Sequence, residues 1–483
     1  MTDIAFQSAK SLARLIRRGK IGCAELLEHF LARVEHYNPR LNAIIATDIP
    51  RAKKRARAAD KALAKGEIWG PLHGVPMTVK ESNDMQGLPT TWGVPAYKES
   101  IASQDGLAVR RWLDAGVTLF GKTNVPMLLA DSQSWNEIYG STNNPWDLTR
   151  TPGGSSGGAA AALAAGLTGI EMGSDIASSI RNPAHFCGLF GHKPTWGICP
   201  PRGHAMGGAL RQTDISVIGP LARSANDLAT ALNIIAGPDE IDSAGLRLKL
   251  PAPRHKSFRK MKIAVILDDV TAPVDDEYKA LLQKLMDFLG KQKASIHIGA
   301  RPDIDMDDAH RTFDVMLRAA TSGRNPDAAY AQALERAAGL SPDDDSVQAR
   351  GLRGATIRHR DWLRLDEKRT AMRWKWHEFF KDYDLMLAPV MSTAAFKHDH
   401  KGSYERFSTI NGKQYPAMME TFWAGYSGLS FLPSSVAPIG FTASGLPVGV
   451  QIIGPQYADR STIHFAKMLE ADYQGFVPPP GFE

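Results

Sequence analysis

Apolar residues recur at helical spacing from the start of the chain. Behind Ser8, a residue suited to capping, come Leu12, Leu15 and Ile16, and "AELLEHFLARVEHYNP" repeats the pattern with Leu27, Leu31 and Val34. This spacing predicts two amphipathic helices, the second stopped by Pro39. The period then shortens. "NAIIAT" (42–47) reads as a short strand, and "GVPMTVKES" (74–82) as an apolar strand running into a polar turn, with Lys80 near its end. "VTLFGKTN" (117–124) has the same form. Ala159 to Ala165 is predicted as a helix of small residues closed by Gly166, and "LTGIEMG" (167–173) as a core strand. A helix without large side chains has to pack close to other backbone, which places it centrally. Strands alternating with helices predict an α/β sheet whose functional groups sit at strand ends.

Beyond Gly237 the texture changes. "GLRLKLPAPRHKSFRKM" (245–261) is a basic, proline-bearing linker, and "KIAVILDD" opens a new α/β stretch. From about residue 275 to 382 helical patterns dominate, interrupted by the acidic loop "SPDDDS" (341–346). "AFKHDHKGSYERFSTINGKQYP" (395–416) has no clear period and reads as a disordered segment or a loop bordering a pocket.

With 43% hydrophobic and 22% charged residues among 483, the chain can bury a large core. Its net charge of +6 is spread out. The densest basic run, "RAKKRARAADKALAK" (51–65), has alanines at helical spacing and no interleaved aromatics, so it reads as a solvated helix face and not a nucleic-acid surface. Cys23, Cys187 and Cys199 form no paired ligand spacing, which argues against a disulfide or a zinc site and suits a reducing compartment. No secretory leader and no run near the ~20 apolar residues of a membrane span is visible. The expectation is a cytoplasmic protein without membrane or nucleic-acid partners and without a metal or organic cofactor.

The glycine-rich stretch "TPGGSSGGAAAALAAG" (151–166) raises the question of phosphate binding. A phosphate loop needs a lysine directly after its last glycine, but Ala159 follows Gly158 and no lysine comes before Lys193. What remains is chemistry by the serines themselves. Ser155 and Ser156 lie in this loop, and Ser178 and Ser179 in "GSDIASSIRNPA", with a predicted buried strand between. A serine hydroxyl needs a base. None of His73, His185, His192 or His204 sits in a Gly-x-Ser-x-Gly elbow, whereas Lys80 ends an apolar strand where desolvation would lower its pKa.

Four segments in order, "GPLHGVPMTVKESNDMQGLPTTWG", "NPWDLTRTPGGSSGGAAAALAAG", "GSDIASSIRNPAHFCGLFGHKPTWG" and "GLPVGVQIIG", together resemble the amidase signature family. The resemblance is clear from about Leu26 to Asp227 and again from Leu432 to Gly454. It implies a single large domain, a mixed central β-sheet covered by helices on both faces, with a helical N-terminal segment (1–70), a catalytic core (71–237), a second α/β and helix-rich part (238–415) and a C-terminal return to the core sheet (416–483). It also implies a Ser–cis-Ser–Lys triad: Lys80 as base, Ser155 as bridging serine behind a cis peptide, and Ser179 as nucleophile. Backbone N–H groups of Ile176, Ala177 and Ser178 would form the oxyanion hole. Ser156 would hold the loop, with Asp175 and Arg181 paired to brace the nucleophile turn.

The chain departs from the family at Ala177 and Ser178, where most members carry glycine, so a positive φ at either position would be strained. The resemblance also implies Met127, Leu128, Asp131 and Ser132 as substrate contacts; Met127, Leu128 and Trp135 would form an apolar wall, or Leu128, Leu129 and Trp135 are simply core. The late aromatics Trp374, Trp376, Phe422, Trp423 and Tyr426 either close the leaving-group side or pack inward. The implied function is hydrolysis of carbon–nitrogen amide bonds in a small molecule through an acyl-enzyme on Ser179, with anilides, esters and carbamates open to the same chemistry. A glutamine-hydrolysing component of a tRNA-dependent amidotransferase and a non-catalytic binding relative stand as alternatives. A homodimer is left open.

Overall fold

Capping and side-chain spacing set the first helices of the computed structural model, which describes residues 3–483. Ser8 accepts the Ser11 N–H at 3.1 Å and starts the helix Ala9–Arg17, which buries Leu12, Ala13 and Ile16. The next helix, Cys23–Leu41, does not stop at Pro39. A proline in the last turn forfeits one N–H bond without ending the helix, and Asn42, left-handed at φ 51°, closes it by donating to the Asn38 carbonyl at 2.7 Å. The basic run lies on the helix Ile49–Ala64, with Ala52, Ala56, Ala59 and Ala62 buried and Lys54, Arg57 and Lys61 exposed.

Two sheets carry the site. In the smaller, Thr118–Thr123 lies between Ile44–Thr47, antiparallel to it, and Pro76–Lys80, parallel to it. The larger has eight strands in the order Ser295–Ile298, Lys262–Val265, Leu385–Pro389, Pro447–Ile453, Ser434–Phe441, Phe190–Lys193, Val217–Ala222, Glu171–Asp175. Its first three strands run parallel to one another and the remaining pairings are antiparallel, so the sheet is mixed and flanked by helices. The stretch opening at Lys262 therefore joins the same sheet as the serine-bearing half.

The strand expected at 167–173 is displaced to Glu171–Asp175. Residues before it bond sideways instead: Gly169 N–H donates to the Pro76 carbonyl at 3.0 Å, and Thr168 Oγ1 accepts the Thr78 N–H at 3.1 Å. Those two bonds hold the small sheet against the edge of the large one. The helix of small residues is Gly157–Ala164, wholly buried.

Between the strands Lys262–Val265 and Leu385–Pro389 come helices Asp276–Lys291, Met306–Ser322, Asp327–Ala338, Val347–Ala355 and His359–Asp382. Trp376 on the last of these packs inward with Phe422, Trp423 and Tyr426, whereas Trp374 faces solvent. The segment 395–416 is ordered as a loop followed by a hairpin, Phe407–Ile410 with Lys413–Pro416. The three cysteines are unpaired and buried. Among the described residues no helix is long and apolar enough to cross a membrane, and no cluster of metal-ligating side chains occurs.

Candidate active site

Lys80 stands at the end of its strand with no exposed surface, and its Nζ lies 2.6 Å from Ser155 Oγ, 3.0 Å from Ser156 Oγ and 2.9 Å from Ser174 Oγ. Burial pushes its proton affinity well below the usual lysine range; Asp175 and Glu81 oppose that shift, and Arg324 adds to it. The amine thus sits among three hydroxyls, in surroundings that disfavour its charged form.

The serine loop is shaped by contacts that tolerate no side chain at its glycines. Gly153 takes φ 91°, and a Cβ on Gly154 would lie 2.5 Å from the Asp131 carbonyl oxygen. The Gly154–Ser155 peptide bond is cis. Asn182 Oδ1 accepts the Gly154 N–H at 3.2 Å, and the Ser156 N–H donates to the Ser179 carbonyl at 3.2 Å, so the loop and the turn carrying Ser179 are tied directly together. Ser156 Oγ accepts the Ser174 N–H at 3.3 Å, which adds backbone anchoring to its contact with Lys80.

That turn is braced by one buried ion pair. Arg181 and Asp175 meet at 2.9 Å with both side chains fully buried. Asp175 also accepts the N–H groups of Ser178 (2.9 Å), Ile180 (3.1 Å) and Arg181 (3.3 Å). Burial alone would raise its pKa, but the Arg181 guanidinium and these bonds hold it at about 2. Arg181 reaches on to the Ala424 carbonyl, Ser427 Oγ and Gln451 Oε1 at 3.0, 2.9 and 2.7 Å.

Ser178 adopts φ 79°, the left-handed region its side chain disfavours, and its buried Oγ has no partner among the described residues. Its N–H is engaged by Asp175, whereas those of Ile176, Ala177 and Ser179 have no acceptor among the described residues.

Ser155, Ser174 and Ser179 line one cavity of about 200 Å³, together with the whole stretch Ile176–Ser178. Leu128, Asp131 and Ser132 are on its wall, joined by Leu129 and Ala130. Met127 is not: it is 50% exposed, because Leu128 and Leu129 take φ 56° and 57° and turn the chain. Trp135 is also elsewhere, stacked on His400 at 4.5 Å. Asp131 is ion-paired to Arg406 at 2.5 Å.

A family model described as Amidase matches residues 25–463. The chain belongs to the amidase family. Among its relatives is an indoleacetamide hydrolase of Bradyrhizobium diazoefficiens, 34% identical over 96% of this chain and 86% of that protein. A glutamyl-tRNA(Gln) amidotransferase component of Anaeromyxobacter sp. is 31% identical over 98% of this chain and 99% of that one. A bacterial aryl acylamidase of the amidase signature family superposes with a TM-score of 0.82 at 27% identity, over 96% of each chain. Membership in the amidase family carries the general chemistry, hydrolysis of a carbon–nitrogen bond, and matches the fold described above.

Several site residues of this amidase-family chain are not evident from its sequence. Ser174 had one available signal: it precedes Asp175 on a strand whose alternate residues share a face. His204, Arg318, Arg324 and Arg406 also line the cavity, but they come from segments with no motif and reach it only through the fold.

Proposed function

We propose that this protein is an amidase acting through an acyl-enzyme on Ser179, with Lys80 as the base and Ser155 as the bridge. The observation that carries the reading is the fully buried Lys80 Nζ, 2.6 Å from Ser155 Oγ, on a loop bonded directly to the Ser179 backbone. As substrate binds, the Ser179 hydroxyl attacks the amide carbonyl and its proton passes through Ser155 to neutral Lys80. The proton returns by the same route to the departing ammonia or amine. A water then repeats the sequence in reverse and releases the acid. Developing negative charge on the carbonyl oxygen is met by the N–H groups of Ile176, Ala177 and Ser179; the Ser178 N–H, already donating to Asp175, takes the structural role.

A fluorophosphonate probe tests this directly. Labelling should map to Ser179, vanish in Ser179→Ala and weaken in Lys80→Ala. A folded protein left unlabelled after long exposure would favour the binding relative. A hydrolysis panel of primary amides, anilides, esters and carbamates, with Ser179→Ala as blank, reads the substrate range; indole-3-acetamide and aryl acylamides lead it because relatives are named for them. L-Glutamine belongs in the panel because of the amidotransferase relative, and glutamine turnover ahead of every other amide would favour that alternative.

A further inference from the structure

Two arginines that the proton relay does not use face the same cavity as Ser179. Arg318 lies near the end of the helix Met306–Ser322, and Arg324 in the turn after it. A guanidinium drawn partly out of water needs an anion or several acceptors to offset its desolvation. Among the described residues neither one meets a carboxylate. Arg324 lies over the Trp92 ring at 4.7 Å, and Arg318 over Tyr404 at 5.2 Å. Burial, with Arg211 nearby, lowers the Arg324 pKa to about 10, a sign that its countercharge is missing.

The acids on the cavity wall are committed elsewhere. Asp131 is held by Arg406. Glu420 accepts the Ser392 N–H at 3.3 Å and the Ser408 hydroxyl at 2.7 Å. His204 also packs on Trp92, at 5.1 Å, is only 8% exposed, and leaves its Nε2 without a partner among the described residues. Burial drops its pKa to about 3, so the ring is neutral. Glu81, next to the base Lys80, fixes this platform by accepting the Trp92 N–H at 3.0 Å.

We propose that the cavity selects an amide that carries a second, anionic group, a carboxylate, seated at Arg324 and Arg318 with His204 as a further hydrogen-bond partner. The proposal rests on the hydrolase reading above and adds the substrate class. A carboxylate fits the planar fork of a guanidinium, and such charge-assisted bonds strengthen as water is excluded. The anion sits on either the acyl or the amine side of the scissile bond, and the test separates the two.

Glutaric acid mono-p-nitroanilide against its methyl ester probes the acyl side; 4-acetamidobenzoate against its methyl ester probes the amine side. The wild-type enzyme should favour the free acid over the ester in kcat/KM by about tenfold to a hundredfold in one arm. In Arg324→Gln that ratio should collapse towards one, and Arg324→Lys should restore part of it. The ratio within one variant cancels any general change in Ser179 reactivity. Binding of the same pairs to Ser179→Ala by calorimetry reads the subsite without catalysis and without altering either arginine. Esters bound and cleaved as well as acids in both arms would overturn the proposal. A wild-type protein that takes no fluorophosphonate label, with acids still bound tighter than esters, would instead overturn the hydrolase reading and leave the anion subsite standing.

Discussion

At the floor of the cavity Ser155 and Ser174 are each bonded to Lys80 beneath them, and all three are at most 3% exposed. At its walls Arg318 and Arg324 are only partly buried and meet aromatic faces in place of acids. The floor comes from strand ends and the turns directly after them, held by backbone bonds between loops. The walls come from a kinked turn at 127–132, a helix end near 318–324 and the loop that brings in Arg406. On the proposed mechanism the contrast divides the labour: proton transfer demands the fixed geometry of the floor, and the choice of substrate falls to the wall.

Breaking the floor should therefore cost every substrate alike. Ser179→Ala is expected to lower kcat by a factor on the order of 10⁵ or more on any amide of the panel, and Lys80→Met should come close to it, as measured by initial rates. A wall change such as Leu129→Ala should alter the ranking of substrates about tenfold while Ser179 still labels with a fluorophosphonate. Equal losses from both kinds of variant would dissolve the distinction.

Next in size is the brace beneath the floor. Arg181→Met leaves Asp175 buried and unpaired, so a stability loss of about 3–5 kcal/mol is expected in denaturant unfolding. Removing Arg406 from Asp131, at 14% exposure, should cost clearly less.

Acid should separate activity from stability. On the proposed mechanism Lys80 acts only when deprotonated, so kcat/KM should rise with pH through its lowered pKa and fall away below it. Because Arg324 contributes to that lowering, Arg324→Gln should move the profile to higher pH. Asp175 titrates at about 2 in the folded protein, below the ordinary 3.8 it regains on unfolding. Its contribution to stability is thus complete above that unfolded value and disappears as pH falls through about 2. A pH series of rates set beside one of circular dichroism reads the two titrations, and a rate that stays flat while the fold is lost would mean that the lysine is not the titrating base.

The smallest effect is expected at Ser178. Glycine there relieves a positive φ worth about 1–2 kcal/mol but adds chain freedom to the unfolded state, so Ser178→Gly should stabilise by up to about 1 kcal/mol in thermal melts. A lowered Tm would mean that the unpartnered hydroxyl makes a contact with solvent or substrate that outweighs the strain.

The same contrast decides what can be read from the residues alone. Lys80 ends an apolar strand and Ser155 and Ser179 lie in small-residue turns, and because each stands in a contiguous motif the family resemblance could assign it a role. The Asp175–Arg181 pair is legible too, because its partners flank one short turn. Met127 and Trp135, expected on the wall, lie off it because no periodic pattern signals two consecutive left-handed leucines. Arg318, Arg324 and His204 carry no local signature; their meaning arises from what the fold sets opposite them. Pro39 and the strand at Glu171–Asp175 show the usual limit at element ends, where single bonds decide the boundary.

The reach of Arg181 has a consequence during synthesis. Its guanidinium is finished by Ala424, Ser427 and Gln451, residues the ribosome adds long after Ser179 has emerged. A nascent chain holding Lys80, Ser155 and Ser179 still lacks the groups that seat this cation, and the turn at Ser179 is then braced from one side only, by Asp175. The enzyme should stay silent until its final strands dock, and truncation before residue 451 should give a protein that contains the whole reacting apparatus yet performs no hydrolysis.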